Sequence, residues 1–174
     1  MKKLNLGCGN DIRPDFINLD FHKMAGVDVI HNLNKTPYPF KKNEFDYILA
    51  KDVLEHLESP VLVLEELYRI SKNNAIIDIT VPHFSSSNFP SDITHKRAFG
   101  INSLNCFLEK NQRNYYSKAR FEILQRRIDF DRNFARFFWH VISKFANRYP
   151  GFYETNLAYL FQAGNLSFKL RVLK

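Results

Sequence analysis

Cysteine is scarce: Cys8 and Cys106 are the only two in 174 residues, so no disulfide framework can form and a reducing compartment is expected. No run of about 18 apolar residues occurs, which excludes a membrane-spanning helix. The opening Met1-Lys2-Lys3-Leu4-Asn5-Leu6-Gly7 is basic, but Asn5 and Gly7 interrupt its apolar stretch. It does not read as a signal peptide, and a cytoplasmic location is expected. Internal repeats, low-complexity tracts and a domain linker are also missing. Hydrophobic residues make up 45% and charged residues 25%, an ordinary globular balance that argues against disorder, collagen and coiled coil. The length suits one domain, 1–174, able to bury a core without staples.

Acids are outnumbered, 18 against 25 Lys and Arg, for a net charge of +7. That excess favours anionic partners such as nucleic acid, phosphorylated metabolites or a membrane surface, although many basic proteins have no such partner. Aromatic residues reach 15%, with 17 phenylalanines dominating, and they are densest in the C-terminal third.

Short strands are expected at Leu4–Leu6, Phe16–Asp20, Val27–His31, Glu44–Ala50 and Ala75–Val81. Ser59-Pro60 supplies an N-cap and a first-turn proline for a helix running to a stop at Asn73-Asn74. Strands alternating with helices argue for an α/β fold with a mainly parallel sheet. Residues 82–100 have no period, are rich in Ser, Pro, His and Asp, and read as a long functional loop. Asn102 or Ser103 could cap a short helix through Phe107, and Phe121 to Phe130 reads as a strand. Phe134, Phe137, Phe138, Val141, Ile142 and Phe145 define an amphipathic helix that Tyr149-Pro150-Gly151 ends, and Tyr153 to Phe161 suggests another. Together, 131–164 form a helical insertion. Leu166, Phe168, Leu170 and Val172 then alternate with polar residues as a half-buried last strand.

The first strand runs into Gly7-Cys8-Gly9-Asn10, and the second ends in Asp20. A glycine turn lets a ligand approach the backbone, and a strand-terminal acid can accept both hydroxyls of a ribose. The alternative is a plain structural turn with Asp20 facing solvent. A dinucleotide fingerprint would need a third glycine opening a helix, but Ile12 stands there, and Asp20 follows Gly7 by only thirteen residues with Pro14 between. No Gly-Lys-Ser/Thr loop occurs either. A ligand that needs no helix dipole suits a sulfonium cation better than a pyrophosphate.

Those motifs, joined by Phe45-Asp46-Tyr47-Ile48, Asp52-Val53-Leu54-Glu55-His56-Leu57, Glu66–Lys72, Val81-Pro82-His83 and Asp92-Ile93-Thr94-His95-Lys96-Arg97, resemble class I S-adenosylmethionine-dependent methyltransferases of the small type 11 group. The resemblance implies a single-domain Rossmann-like methyltransferase fold. Its sheet would be seven-stranded and mostly parallel with an antiparallel last strand; the short Gly7–Asp20 spacing departs from the family in leaving only a shortened first helix. It implies S-adenosylmethionine as cofactor, with Gly7, Cys8, Gly9 and Asn10 along the methionine part and Asp20 on the ribose. Asn32 and Leu33 would lie near the adenine, and Lys51 and Asp52 would flank the methionine moiety. Asn32 departs from the acid usual there, though its amide oxygen can accept from an adenine amine. The shortened helix would leave the cofactor more exposed. Because the first strand starts almost at Met1, substrate cover is expected from residues 82–100 and the helical insertion.

Glu55-His56, between a strand and a helix, reads more readily as a structural hydrogen-bonding element than as a catalyst. His83, Asp92 and His95 are the stronger candidates. Alignment supplies most of the acceleration of methyl transfer, but an oxygen nucleophile must still lose a proton, and histidine suits that near neutrality. Asp92 could orient His95. The competing reading of each histidine is a loop anchor. The spacing of these residues and His56 is no recognised ligand pattern, so no metal is expected. Arg132, Arg136, Lys144 and Arg148 flank the amphipathic helix, whose first reading is core packing, with a homodimer interface or a membrane surface as alternatives.

Transfer to a small-molecule acceptor, an oxygen on a sugar or other metabolite, is the leading expectation, and the charge excess favours an anionic one. Nucleic-acid methylation rests on charge only, because the Asn/Asp-Pro-Pro-aromatic signature is absent where Ala50-Lys51-Asp52-Val53 stands. A catalytically inactive, cofactor-binding interaction protein is the third reading.

Overall fold

The computed structural model describes residues 1–130 and 136–174. In chain order the elements are β1 (Lys3–Leu6), β2 (Ile17–Asp20), β3 (Val29–Ile30), β4 (Phe45–Lys51), α1 (Pro60–Ile70), β5 (Ser71–Pro82), α2 (Asn88–Ser91), β6 (Phe121–Asp129), α3 (Arg136–Arg148), α4 (Pro150–Asn156) and β7 (Asn165–Val172). The strands form one seven-stranded sheet in the order β3-β2-β1-β4-β5-β7-β6. The pairs from β3 to β5 are parallel, while β7 runs antiparallel between β5 and β6. This is the expected α/β sheet, with its reversal at the last strand.

The central strands bury both faces, as parallel strands do: Leu4, Asn5 and Leu6 of β1 are all buried. Ser59 caps α1 by accepting the Leu62 N–H at 3.4 Å, and Val63, Leu64, Leu67 and Ile70 turn inward. The helix stops at Ile70, not at Asn73-Asn74, because the segment before β4 takes its last carbonyls. Asn43 N–H donates to Arg69 O at 3.1 Å, and Glu44 N–H to Ile70 O at 2.6 Å. Asn74 instead lies inside β5 with φ +62°, a left-handed conformation that asparagine tolerates.

The expected short first helix is missing: among the described residues, 7–16 contain only turns. Two buried amides take its place. Asn5 and Asn18, register partners on β1 and β2, join through Asn5 Nδ2 to Asn18 Oδ1 at 3.1 Å. Asn5 Nδ2 also donates to Asp11 O at 2.6 Å, while Asn18 exchanges hydrogen bonds with the backbone N–H and carbonyl of Arg13, both at 3.0 Å. The loop's polar groups are thus satisfied by side chains from the strands below.

Several boundaries differ from expectation. β3 has two residues rather than five. The window capped by Asn102 or Ser103 yields only a 3-10 turn at Asn105–Phe107, consistent with the weak helix propensity of Asn, Ser and Cys. The aperiodic 82–100 segment holds α2 and closes on itself, with Phe84 N–H donating to Phe99 O at 2.9 Å. Tyr153 to Phe161 is helical only to Asn156; α4 starts with Pro150 in its first turn, and the buried Tyr153 hydroxyl donates to Phe161 O at 2.6 Å.

The largest correction concerns α3. Its apolar stripe faces outward: Phe137 is 83% exposed, and Phe138, Val141 and Phe145 are exposed too. Phe134 and Arg132 lie outside the described residues. The helix docks through Ala146, which is buried, and Asn147, whose amide accepts from Ile128 N–H and donates to Ile128 O, both at 2.9 Å. A side-chain amide thereby serves as strand partner to β6, and the phenylalanines are left off the core. In β7, by contrast, the predicted alternation is observed: Leu166, Phe168, Leu170 and Val172 are buried, and the residues between them are not.

Candidate active site

Beyond β1 the chain turns through Gly7 (φ +61°) and Gly9 (φ +48°), conformations open to glycine. A Cβ on Gly7 would also stand 2.7 Å from Val53 Cγ2. Asp20, ending β2, accepts the Gly9 N–H at Oδ2 and the His22 N–H at Oδ1, each at 2.9 Å. Every carboxylate oxygen has a second acceptor position, so Asp20 is fixed yet still able to receive a ligand hydroxyl.

A cleft of about 290 Å³ opens beside this turn. Gly7, Asp20, Asn32 and Leu33 line it, together with Phe21, Asn34, His56 and Leu57. Phe21, Asn34 and Leu57 were not singled out in the sequence; an aromatic directly after a strand-terminal acid was the available signal. Cys8 is buried next to the cleft, and burial, then the Asp20 charge, pushes its thiol up, away from reactivity. Asn10, Lys51 and Asp52 are exposed and do not line the cleft. The Asn32 Oδ1 accepts Asn34 N–H at 3.0 Å. Three larger cavities, about 620, 490 and 740 Å³, lie along β6, among residues 102–116 and beside α1, and none includes a residue from the carboxyl ends of β1, β2 or β4.

Glu55, His56 and His95 converge at the edge of the cleft. The turn Leu54–His56 follows β4. The Glu55 carbonyl accepts Lys96 N–H at 2.7 Å and Arg97 N–H at 3.1 Å, which ties the segment after β5 to that turn. His95 Nδ1 bonds to Phe89 O at 2.9 Å. A carbonyl only accepts, so Nδ1 carries the proton and neutral His95 presents a bare Nε2. His56 Nδ1 bonds to Thr94 Oγ1 at 2.8 Å, while the Thr94 hydroxyl donates to Asp92 Oδ1 at 2.6 Å. His56 is therefore also protonated at Nδ1. Burial, and then His95, hold its pKa down. Glu55 is fully buried and neither carboxylate oxygen has a hydrogen-bond partner; burial pushes its acid up to about 7.

Comparison with known proteins gives this arrangement its context. A family model described as a methyltransferase domain matches residues 5–78. Among curated proteins no match is found. The solved structures include the [4+2]-cyclase SpnF, 18% identical over 99% of this chain and 74% of that one, with a TM-score of 0.62. A SAM-dependent methyltransferase from Archaeoglobus fulgidus is 18% identical over 98% of this chain and 85% of its own, with a TM-score of 0.57. Another from Mesorhizobium loti is 13% identical over 98% and 90%, with a TM-score of 0.60. Residues 5–78 thus resemble a methyltransferase domain, and the solved structures share the fold of the whole chain. The chain's own geometry fits the S-adenosylmethionine that this resemblance implies: a backbone turn free of side chains at Gly7 and Gly9 faces a fixed carboxylate with acceptor capacity to spare.

In the structure the histidine candidates separate. His83 is fully buried; its Nδ1 accepts Ser85 N–H at 3.1 Å and its Nε2 faces Glu154 Oε1 at 3.3 Å. Both ring nitrogens are occupied, so the expectation that His83 takes a proton is corrected to an anchor between β5 and α4. The Asp92 carboxylate, expected to orient His95, makes no hydrogen bond to its ring: Phe89 O holds Nδ1, Thr94 holds Asp92 Oδ1, and Asp92 Oδ2 stays 3.9 Å from Nε2. Lys96 pairs with Glu58 rather than standing free.

Proposed function

We propose that this protein is an S-adenosylmethionine-dependent methyltransferase acting on an oxygen of a small acceptor, a sugar or related metabolite, docked where the cleft meets the histidine cluster. The observation that carries this reading is His56, which lines the cleft with Gly7 and Asp20 and belongs to the cluster with Glu55 and His95. S-adenosylmethionine supplies an electrophilic methyl carbon. Asp20 accepts the ribose hydroxyls, and Phe21 and Leu33 offer apolar walls to the base, with Asn32 at its edge. The glycine turn runs along the methionine end, with Asn10, Lys51 and Asp52 outside the cleft. The acceptor hydroxyl gives up its proton at the cluster, where His95 presents its bare Nε2. The test is release of S-adenosylhomocysteine across a panel of sugars, glycosides and phosphosugars; no turnover on any, with tight cofactor binding, favours an inactive binding protein instead.

Replacing Asp20 by alanine removes the acceptor for both hydroxyls. S-adenosylmethionine binding should weaken by about 1.5–3 kcal/mol, the scale of hydrogen bonds to a charged group. Calorimetry that finds unchanged affinity would remove Asp20 from the site.

A second copy of this chain is proposed to cover the outward face of α3, where Phe137, Phe138 and Val141 stand exposed beside Tyr149 and Phe152. Sedimentation should give a dimer that Phe137→Asp converts to monomer; a wild-type monomer at high concentration refutes it. No helix among the described residues is long and apolar enough to cross a membrane.

A further inference from the structure

We infer that Glu55, His56 and His95 form a binding site for a divalent first-row transition-metal ion. One donor atom from each lies within 4.8 Å of the other two. His95 Nε2 and Glu55 Oε1 face each other at 3.9 Å. That is too far for a hydrogen bond, and a cation with bonds of about 2.0–2.2 Å to both bridges it with little adjustment.

Three features set this cluster apart from a chance grouping. First, Glu55 is fully buried with both oxygens unpartnered. A buried acceptor without a donor is expensive, and a carboxylate more so, unless a cation sits against it. Second, each histidine is held in the orientation typical of a ligand: the nitrogen away from the cluster is bonded, to a carbonyl in His95 and to a carboxylate-backed hydroxyl in His56. Metal-binding imidazoles are anchored through their other nitrogen in this way. Third, His56 lines the open cleft, which gives an entry path. Asp92 Oδ2, 3.9 Å from His95 Nε2, adds negative charge close by.

Two imidazoles and one carboxylate suit zinc, iron or manganese; magnesium and calcium prefer all-oxygen shells. Three protein ligands leave a coordination position for an oxygen, whose proton affinity the ion would lower, the proton leaving to water. With the ion bound, His95 is a ligand rather than a base. Only this last consequence rests on the methyl-transfer reading; the binding itself does not. Consecutive Glu55-His56 with His95 forty positions from Glu55 is no standard ligand spacing, which is why no metal was expected from the sequence.

The full chain, stripped with a chelator, should be titrated with Zn²⁺ by calorimetry and with Co²⁺ by visible absorption, without cofactor or acceptor. One ion per chain is expected, with ligand-field bands of a low-coordinate cobalt site. Glu55→Gln and His95→Asn should each weaken binding at least tenfold, since even the loss of an anchoring partner costs 10–100-fold. If Glu55→Gln fails to fold, His56→Asn, at a half-exposed ring, must give the same loss. No saturable binding in the wild type, or equal binding in the variants, overturns the site. S-adenosylmethionine binding, measured separately, reports on the methyltransferase reading alone.

Discussion

His95→Ala should lower turnover about 10²–10⁴-fold, the contribution of a positioned proton-handling group. Cofactor affinity should stay nearly unchanged, because His95 does not line the cleft that holds Gly7 and Asp20. The imidazole is nearly buried and fixed at Nδ1 by Phe89 O, so what the substitution removes is the Nε2 facing Glu55 and Asp92. The measurement is release of S-adenosylhomocysteine on an accepted substrate, paired with calorimetry of cofactor binding. His83→Ala serves as contrast: its ring is sealed between Ser85 and Glu154, so its loss should appear in melting temperature first. Full turnover in His95→Ala would mean that alignment alone drives the reaction.

Phe168→Ala should cost about 3–5 kcal/mol of stability. The ring is 1% exposed at the middle of β7, opposite Ile79 of β5 and Arg126 of β6. Among the described residues β7 alone joins β6 to the rest of the sheet, so a cavity there weakens two ladders at once. Urea denaturation would read the change; a loss below about 1 kcal/mol would place Phe168 at a site that collapses around the gap.

Much of this was visible in the sequence, because strict alternation and capping residues act locally. Leu166 to Val172 alternate and pair as expected, and Ser59-Pro60 starts α1. What escaped depended on partners distant in the chain. The buried amide of Asn18 has meaning only beside Asn5, and each looks like an ordinary polar residue in its own strand. His83 and His95 both follow turn-forming residues, and only packing against α4 seals one of them. Glu55-His56 reads as a structural hydrogen-bonding element, yet the buried Glu55 carboxylate has no hydrogen-bond partner, which no local pattern discloses. In α3 the period was right and its direction was not, since Asn147 and Ala146, rather than the phenylalanines, meet β6.

The amides that replace the first helix have a further consequence. Asn18 holds Arg13, Asn5 and, through its own N–H at 2.7 Å, the Asp28 carboxylate. Residues 10–16 therefore cannot open as an independent unit without loosening the β1–β2 register, which raises their local opening free energy toward that of the sheet. The entropy of ordering this segment is lost when the chain folds, not when a ligand arrives. The wall of the cleft is preorganised, and a shallow site of this kind can keep useful affinity without the extra contacts a helix would have brought.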